Sequence, residues 1–263
     1  MFPPDLPPLK NKPLYAYRVF AKFLSFFIIG FSSVILGILV FPVMRLVLHP
    51  KARFQKHGRR FISSALRFFV FIMFCIGAVK LVVEDRKIFS SLSSKIIVAN
   101  HPSLLDVVML LSLIPNADCI VNAYLKRNIL SGVACQLYIL GSRDYDDILE
   151  TSVESLKAGN CLIIFPEGTR TPRNGRNVLK KGAARIAMAS GCNIVPVHIG
   201  GTDKYGLGKK DPLFGFNTRD RYIYHLTIGN EINCEQYREM PSTAAAKLIM
   251  KEVESQIFPG RSS

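Results

Sequence analysis

The sequence lacks any pattern typical of a bound metal ion. Its six cysteines are scattered, without a C-x-x-C pair, and its five histidines do not cluster with them at the spacing of zinc ligands. Several of the cysteines lie inside apolar runs, where a free thiol behaves as a small hydrophobic side chain. We therefore expect neither structural zinc nor a metal cofactor. We also expect reduced thiols in the core of a domain that faces the cytosol.

A nucleotide-binding P-loop is also missing. The segment 200–210 is rich in glycine and lysine, but it contains no Gly-Lys-Ser/Thr triplet at the spacing that a P-loop requires. The sequence instead predicts a mobile surface loop in this segment, one that can touch lipid headgroups.

Acidic residues are scarce in the first 60 residues. Asp5 is the only acid there against ten lysines and arginines, so this stretch carries +9 of the net charge of +15. The cations flank an uncharged apolar segment. Anionic lipid headgroups attract such an arrangement, with a gain of about 1 kcal/mol per Lys or Arg near the surface. We therefore expect the basic region to contact membrane lipids and not nucleic acid.

A long apolar run follows the basic N-terminus. Phe23–Met44 covers 22 residues without a charge, which is enough for a transmembrane helix of about 20 residues. The run is too long for a signal peptide, and no A-x-A cleavage site follows it. Gly30, Gly37 and Pro42 predict a loosened or kinked helix. A second run, Phe68–Val79, has 12 uncharged residues and is too short to span a bilayer alone.

Two arrangements of these runs remain open. Lysines and arginines lie on both sides of the first run, so the positive-inside rule sets no orientation. Either two helices enter one leaflet and return, as interfacial anchors do, or one helix spans the bilayer while the second lies at its surface. We divide the chain into a proline-rich basic segment (1–19), membrane-associated helices (20–83) and a globular domain (84–263).

From Ser94 onward, short β-branched or apolar runs alternate with helical patterns. The predicted strands are Ile96–Ala99, Cys119–Val121, Leu137–Leu140, Cys161–Phe165, Ile194–Ile199 and Tyr222–Ile228. The predicted helices are Leu104–Leu113, Tyr124–Cys135, Tyr145–Ala158, Val178–Ser190 and Thr243–Ile257. This alternation is typical of an α/β fold with a largely parallel sheet and helices on both faces. Ligands bind at the carboxyl ends of the strands in such sheets.

One candidate site begins where the strand Ile96–Ala99 ends. His101 follows this strand, and Asp106 stands five positions later, in the helix that begins after Pro102 and Ser103. A loop-to-helix turn can return the carboxylate to one ring nitrogen, which leaves the other nitrogen free to take a proton from an alcohol. General-base catalysis of this kind contributes about 10²–10⁴-fold. The spacing alone is a weak signal, since a histidine that caps a helix has the same pattern.

A second candidate site follows the strand Cys161–Phe165. Pro166 ends that strand, and Gly168 permits a tight turn with positive φ. Thr169 and Arg170 then offer a hydroxyl group and a guanidinium group. Guanidinium groups bind phosphate through two parallel hydrogen bonds, so this turn is a candidate phosphate site.

Glu167 lies among these donors. As an acid, it is expected to orient Arg170 or the acceptor alcohol, since it cannot bind a phosphate directly. Together, the predicted base and the predicted anion site suit transfer of an acyl group from a thioester to a phosphate-bearing alcohol. Such a reaction requires no nucleophilic serine or cysteine, because the thioester is already activated.

The two motifs resemble those of a known enzyme family. Asn-His-x-Ser-x-x-Asp at 100–106 and Phe-Pro-Glu-Gly-Thr-Arg at 165–170 are similar to motifs of the 1-acylglycerol-3-phosphate acyltransferases, the lysophospholipid acyltransferases. The segments 179–184 and 194–197 are similar to the family's basic segment and to its fourth block. The resemblance covers roughly residues 96–199, in the right order.

The resemblance implies a glycerophosphate acyltransferase-like α/β fold for the catalytic domain, behind the membrane-embedded N-terminal helices. It also implies that His101 is the general base and Asp106 its partner, and that acyl-CoA or acyl-carrier protein is the acyl donor. No resident cofactor is implied. The acceptor would be held by Glu167, Gly168, Thr169, Arg170, Ser103, Arg143 and Lys181. The resemblance further implies a membrane enzyme of phospholipid biosynthesis on the cytoplasmic face of a bacterial inner membrane.

The second block of the family is only partly present. The segment 136–143 keeps the Tyr-Ile core and an arginine, but it lacks the leading glycine, and Arg143 is shifted. The acceptor headgroup therefore stays open between 1-acylglycerol-3-phosphate and another lipid, such as a lyso-ornithine lipid. A non-catalytic membrane-binding protein with the same fold is a third interpretation. The sequence indicates no oligomeric state.

Overall fold

The computed structural model contains an α/β domain with a pair of long helices packed against it. It describes residues 8–122, 137–141, 144–173 and 177–260. The strands are β1 (Val79–Val83), β2 (Ile96–Ala99), β3 (Ala117–Asn122), β4 (Ile139–Gly141), β5 (Cys161–Ile164), β6 (Ile194–Gly201) and β7 (Tyr222–Ile228). The helices are α1 (Lys12–Ile35), α2 (Phe41–Val47), α3 (Lys51–Cys75), α4 (Arg86–Ser91), α5 (Asp106–Leu113), α6 (Tyr145–Lys157), α7 (Gly182–Ser190) and α8 (Ser242–Ile257).

These strands form a single sheet in the order β1-β7-β6-β2-β5-β3-β4. Neighbouring strands are parallel except for β6 and β7, which pair antiparallel. The prediction of a largely parallel sheet in an α/β fold is therefore confirmed. The strand β2 lies at the centre, between β5 and β6, and all four of its residues are buried.

Helices cover both faces of the sheet because the residues of the central strands are apolar on both sides. Ile97 and Ala99 of β2 belong to a core cluster that includes buried residues of α3 and α5. Ile96 and Val98 belong to the opposite cluster, with buried residues of α7 and α8. Strands buried on both faces read as unbroken apolar runs, which is why β2 and β5 were recognisable in the sequence.

The two long N-terminal helices, α1 and α3, pack against the core cluster that contains Ile97 and Ala99. α1 continues through a π-helical turn at Leu36–Val40 into α2, and together they form an apolar helix, Lys12–Val47, of 36 residues. Gly37 lies inside this turn and Pro42 follows it. Pro42 has no backbone N–H to donate, so the regular hydrogen-bond ladder changes there, as expected for a kink. By length and composition this helix could cross a membrane.

The structure corrects several predicted boundaries. Val79–Val83 was placed with the membrane-associated helices of segment 20–83, but it forms β1 and pairs with β7 at the edge of the sheet. α7 begins at Gly182 instead of Val178, because the N–H of Lys180 bonds to the carbonyl of Pro166. The strands Ile96–Ala99 and Tyr222–Ile228 have the predicted bounds, and the other predicted boundaries differ by at most two residues. The predicted helix Tyr124–Cys135 lies outside the described residues.

Candidate active site

Three neighbouring parallel strands end at one edge of the sheet and carry the candidate residues. β2 leads into His101, the strand β5 leads into the turn at Glu167, and β6 leads into the segment 202–221 before β7. The buried side chain of Asn100 joins two of these ends. It donates to the carbonyl of Ile199 (3.0 Å) and accepts from the N–H of Ile199 (2.7 Å).

His101 and Asp106 lie within hydrogen-bonding distance, as the sequence predicted. His101 Nδ1 is 2.8 Å from Asp106 Oδ2. The Asp106 side chain is fully buried, whereas that of His101 is 18% exposed. No described residue makes a hydrogen bond to His101 Nε2. A carboxylate at Nδ1 places the proton on that nitrogen, so Nε2 carries the lone pair and can accept a proton.

Ser103, which was predicted to hold the acceptor, lies buried against Asp106 in the structure. Its side chain is fully buried. Its N–H donates to Asp106 Oδ2 (2.7 Å) and its hydroxyl donates to Asp106 Oδ1 (2.6 Å). The hydroxyl of Tyr224, on β7, lies 2.6 Å from Ser103 Oγ. Since the Ser103 proton points to Asp106, Tyr224 donates to Ser103. Burial raises the pKa of Tyr224 well above its usual value, so the donor proton stays in place.

Lys204 is a second residue beside Asp106 that the sequence did not indicate. Its ammonium group lies 4.5 Å from the centre of the Tyr224 ring. Burial lowers the pKa of Lys204 to about 8, against the opposing attraction of Asp106 and then Asp203. Its ammonium donates to three backbone carbonyls, those of Gly200, Thr202 and Ile223.

The turn after β5 has the predicted backbone conformation. Gly168 has a φ of +64°, in the left-handed region that favours glycine. A Cβ atom at this position would lie 2.7 Å from Lys180 Nζ. The exposed Lys180 therefore lies over the turn, whereas the predicted contact, Lys181, is the residue that precedes α7.

Glu167 holds the backbone of His101 in place. Its side chain is buried, and Oε1 accepts from the N–H of His101 (3.1 Å) and from the hydroxyl of Thr171. Oε2 accepts from Asn177 (2.7 Å). Among the described residues Glu167 makes no ion pair with Arg170, and the two are joined through Asn177, which also donates to the carbonyl of Arg170 (3.2 Å). Three donors thus hold the carboxylate, and the bond to His101 joins the two motifs.

Thr171 and Phe165 also contact the histidine segment. Thr171 Oγ1 accepts from the N–H of His101 (3.1 Å), and the N–H of Thr171 donates to the carbonyl of His101 (2.7 Å). The Phe165 ring stacks on the imidazole, with centroids 4.2 Å apart. The predicted Thr169 is half-buried and makes no hydrogen bond with a described residue. The hydroxyl that joins the two motifs is thus two residues further along the chain.

Arg170 is partly occupied by the segment after β6. Its Nη1 donates to the carbonyls of Leu207 (2.8 Å) and Gly208 (3.0 Å). The same Leu207 carbonyl accepts from the N–H of Leu104 (3.2 Å). Segment 200–210, predicted to be a mobile surface loop, is therefore bonded to both motifs. The Nε and Nη2 groups of Arg170 have no hydrogen-bond partner among the described residues, so one edge of the guanidinium can still bind an anion.

The buried thiols do not offer a competing nucleophile. Burial raises the pKa of Cys161 to about 11 and that of Cys119 to about 12. The thiolate is the reactive form, so both side chains are inert at neutral pH. In the described part of the chain, no group of three His, Cys, Asp or Glu side chains could hold a metal ion.

Three residues that support the site had no signal in the sequence. The predicted Arg143 lies outside the described residues. Lys204, Leu207 and Tyr224 belong to no recognisable motif. Tyr224 shares one face of β7 with the buried Tyr222 and Leu226, which indicates a core position and no more.

Comparison with known proteins connects this edge of the sheet to an enzyme family. Residues 80–200 match the family model described as Acyltransferase. The chloroplastic 1-acyl-sn-glycerol-3-phosphate acyltransferase LPAT1 of Arabidopsis thaliana is 33% identical over 121 residues, which cover 44% of this chain and 34% of that protein. A probable 1-acyl-sn-glycerol-3-phosphate acyltransferase of Mycoplasma genitalium is 24% identical over 212 residues, 76% of this chain and 75% of that protein. The chain thus spans about a third of the length of the plant relative that it matches.

A solved structure has the same fold. The 1-acyl-sn-glycerophosphate acyltransferase PlsC from Thermotoga maritima superposes with a TM-score of 0.62 over 94% of this chain and 99% of that chain, at 20% identity. The likeness therefore includes the N-terminal helices as well as the sheet.

Proposed function

This chain belongs to the 1-acylglycerol-3-phosphate acyltransferase family, and on that premise we propose that it transfers a fatty acyl group to a lysophospholipid. The most direct acceptor is 1-acylglycerol-3-phosphate, which gives phosphatidate for phospholipid biosynthesis. The acyl donor is a thioester, acyl-CoA or acyl-carrier protein. The proposed reaction needs no resident cofactor and no metal ion.

The observation that carries this proposal is the His101–Asp106 pair. The buried carboxylate receives three hydrogen bonds, from His101 Nδ1 and from the N–H and hydroxyl of Ser103. It is therefore a fixed acceptor and cannot itself abstract a proton. His101 Nε2 is the basic atom, because the partly exposed ring presents its lone pair to the site and no described residue makes a hydrogen bond to it.

The proton and bond changes then balance as follows. His101 Nε2 takes the proton of the acceptor hydroxyl while the hydroxyl oxygen attacks the thioester carbonyl carbon. Asp106 stabilises the imidazolium that forms. The carbon–sulfur bond breaks, and the imidazolium returns its proton to the departing thiolate. The products are the new ester and a free thiol, and His101 is regenerated.

The turn at Gly168 is the proposed site of the acceptor phosphate. The exposed ammonium of Lys180 lies over Gly168, and Arg170 keeps one guanidinium edge without a described partner. Because Arg170 Nη1 is bonded to the carbonyls of Leu207 and Gly208, it cannot supply the full five-donor fork of a free arginine. The free edge, formed by Nε and Nη2, still offers the two parallel N–H groups that bind a phosphate, so this contact is compatible with 1-acylglycerol-3-phosphate. A phosphate-free lipid acceptor is the second candidate.

The helix pair is the proposed membrane anchor. The Lys22 ammonium of α1 bonds to the carbonyls of Leu213 and Gly215, and Arg59 of α3 forms a buried ion pair with Asp118 of β3 (2.8 Å). Helices that are bonded to the globular domain in this way lie along it. These contacts favour two interfacial helices on the cytoplasmic face of a bacterial membrane over a single span.

The His101→Ala variant tests the reaction. We expect the initial rate of acyl transfer to fall by about 10²–10⁴-fold, measured by mass spectrometry of the lipid product with labelled acyl-CoA and labelled acyl-carrier protein. His225→Ala is the matched control, because His225 is exposed on β7. Full activity of purified His101→Ala would disprove the proposed mechanism. Absence of thioester consumption by the unmodified protein would favour the non-catalytic interpretation.

An acceptor panel separates the two candidate acceptors. Acylation of 1-acylglycerol-3-phosphate, with a loss of rate in Lys180→Met, supports the phosphate site. Acylation of only phosphate-free acceptors, such as lyso-ornithine lipid, would assign the reaction to the second candidate.

A further inference from the structure

The segment between β6 and β7 exposes two large apolar side chains at its tip. Leu213 is 61% exposed and Phe214 is 70% exposed. The adjoining Gly215 and Phe216 are buried, so the exposure is confined to the tip. Tips of this composition are unusual in a protein surface that faces only water.

This tip is rigidly fastened to α1. Lys22 Nζ donates to the carbonyls of Leu213 (2.5 Å) and Gly215 (2.7 Å). The Tyr15 hydroxyl donates to the carbonyl of Phe214 (3.2 Å) and accepts from the N–H of Phe216 (3.2 Å). Two side chains of α1 thus hold the backbone of the tip, so Leu213 and Phe214 cannot turn inward without breaking these bonds.

The tip is continuous with the apolar surface of α1. The Phe23 ring contacts Phe214, with centroids 5.2 Å apart. On the same helix, Phe20, Phe27 and Phe31 are 61%, 67% and 58% exposed. A contiguous apolar surface of aromatic side chains on two elements marks a place of contact with a protein or a lipid bilayer.

The charges around the tip distinguish these two partners. Lys209, Lys210 and Arg219 are exposed. Both nearby acids already have hydrogen-bond or ion-pair partners within the protein. Asp211 accepts from the N–H groups of Gly206 and Gly208, and Asp220 pairs with Arg18 (3.3 Å). The outer surface is therefore cationic around an apolar centre, the pattern that complements anionic headgroups above a hydrocarbon layer.

We propose that Leu213 and Phe214 insert into the bilayer interface as a second membrane contact beside α1, with Lys209, Lys210 and Arg219 on anionic headgroups. This inference rests on the proposed membrane anchoring of the enzyme, and it extends that anchoring to the catalytic domain itself. The same segment bonds to Leu104 and Arg170 through its Leu207 carbonyl. Membrane contact at the tip thus sets the position of both catalytic motifs relative to the lipid surface.

The absence of tryptophan from the chain makes the test direct. Phe214→Trp introduces the sole tryptophan at the tip. Phe27→Trp serves as the probe of α1. Leu248→Trp, at a 41% exposed position on α8, serves as the control outside the proposed membrane-contacting surface. Each full-length variant is added to phosphatidylglycerol–phosphatidylcholine vesicles whose acyl chains carry bromine, which quenches tryptophan only at short range.

We expect emission from Phe214→Trp and Phe27→Trp to shift to shorter wavelength and to be quenched at least twofold, while emission from Leu248→Trp is unchanged. Quenching of Phe27→Trp without quenching of Phe214→Trp would overturn the proposal and leave the helix anchor intact. If neither probe is quenched, both the proposed helix anchor and the proposed contact at the tip are wrong. The acyl-transfer assay on dispersed acceptor still tests the proposed reaction independently. A shift of Phe214→Trp emission to shorter wavelength on addition of acyl-carrier protein, but not on addition of vesicles, would assign this surface to that protein. That result would overturn the proposal.

A charge variant tests the headgroup contact separately. Lys209→Gln with Lys210→Gln, in the Phe214→Trp background, should weaken quenching on anionic vesicles by roughly fivefold per lysine in lipid concentration. Lys247→Gln with Lys251→Gln, at exposed positions of α8, is the matched control. Equal weakening by both pairs would overturn the specific contact of Lys209 and Lys210.

Discussion

Two sides of the candidate active site hold the His101–Asp106 pair by different means. The motif side consists of residues 100–106 and 165–171, which follow β2 and β5. There, side chains such as Glu167 and Ser103 make the hydrogen bonds. The loop side consists of residues 202–221 and β7. It contributes mainly backbone carbonyls, at Leu207 and Gly208, and two buried side chains, Lys204 and Tyr224.

The two sides differ in how much of their role depends on residue type. Side chains that act on a substrate must be of particular types, so the motif side has a recognisable sequence. A backbone carbonyl is present at every residue, so the loop side can hold Arg170 and the N–H of Leu104 without a sequence signature. We therefore expect substitutions on the loop side to change the tuning of His101 and the stability, and substitutions on the motif side to change substrate use.

Tyr224 belongs to the loop side and bonds to Ser103 of the motif side. Its substitution should give the largest change in activity of the three described here. Tyr224→Phe removes the donor to Ser103 Oγ. The weakened Ser103–Asp106 bond leaves a more basic carboxylate, which stabilises the His101 imidazolium. The less firmly held carboxylate also orients His101 less precisely. We therefore expect kcat to fall roughly tenfold and the acid limb of the kcat/KM profile to move to higher pH.

Tyr222→Phe is the matched control for this prediction. Tyr222 lies on the same strand, is equally buried, and donates one hydrogen bond, to the carbonyl of Tyr205 (2.7 Å). Both variants lose a buried hydrogen bond, so both should lose stability. A profile that moves equally in both would show that Tyr224 has only a structural role.

Lys204 tests whether the loop side contributes through charge. Burial lowers its pKa to about 8 in the folded protein, against about 10.4 in an unfolded chain. Between these values the unfolded chain binds more protons, so the stability contribution of Lys204 rises as pH increases through this window. We expect wild type to gain about 1 kcal/mol over Lys204→Met between about pH 7.5 and pH 9.

Thermal unfolding in detergent at the two pH values measures this difference. Lys251→Met, at an exposed position of α8, is the control and should show no such gain. A constant offset between wild type and Lys204→Met at all pH values would contradict a buried ammonium that titrates in this range.

Gly168 tests the motif side, with the smallest expected effect. Gly168→Ala and Gly191→Ala both place a side chain at positive φ, +64° and +69°, and should each cost about 1 kcal/mol of stability. Only Gly168→Ala also pushes against Lys180. We expect a roughly threefold rise in acceptor KM in Gly168→Ala alone, from steady-state kinetics. Equal KM values in the two variants would remove Lys180 from the acceptor site.

Much of the fold was accessible from the sequence for a physical reason. Buried parallel strands such as β2 and β5 are unbroken apolar runs, and Pro166 and Gly168 mark where the second one turns. β1 was missed because Val79–Val83 directly follows an apolar helix of similar composition. Composition cannot separate a short apolar strand from the end of such a helix.

The candidate site was accessible only in part. His101 and Asp106 are five residues apart, so local turn geometry sufficed to predict their contact. The burial of Ser103, the position of Thr171 and the involvement of Leu207 depend on which strands become neighbours. The order of β5, β2 and β6 in the sheet decides this, and it is not encoded in any local pattern.

The sequence by itself determined the family, the contact between His101 and Asp106 and the presence of a basic, apolar N-terminal segment, because each depends on residue types at short spacing. Only the tertiary structure decided that Glu167 anchors His101 and that Arg170 is partly occupied. It also decided that Tyr224 and Lys204 surround Asp106 and that Phe214 lies beside α1. These contacts join residues up to about 200 positions apart. They form because packing brings the strand ends and α1 to one edge of the sheet, where buried polar groups must find partners.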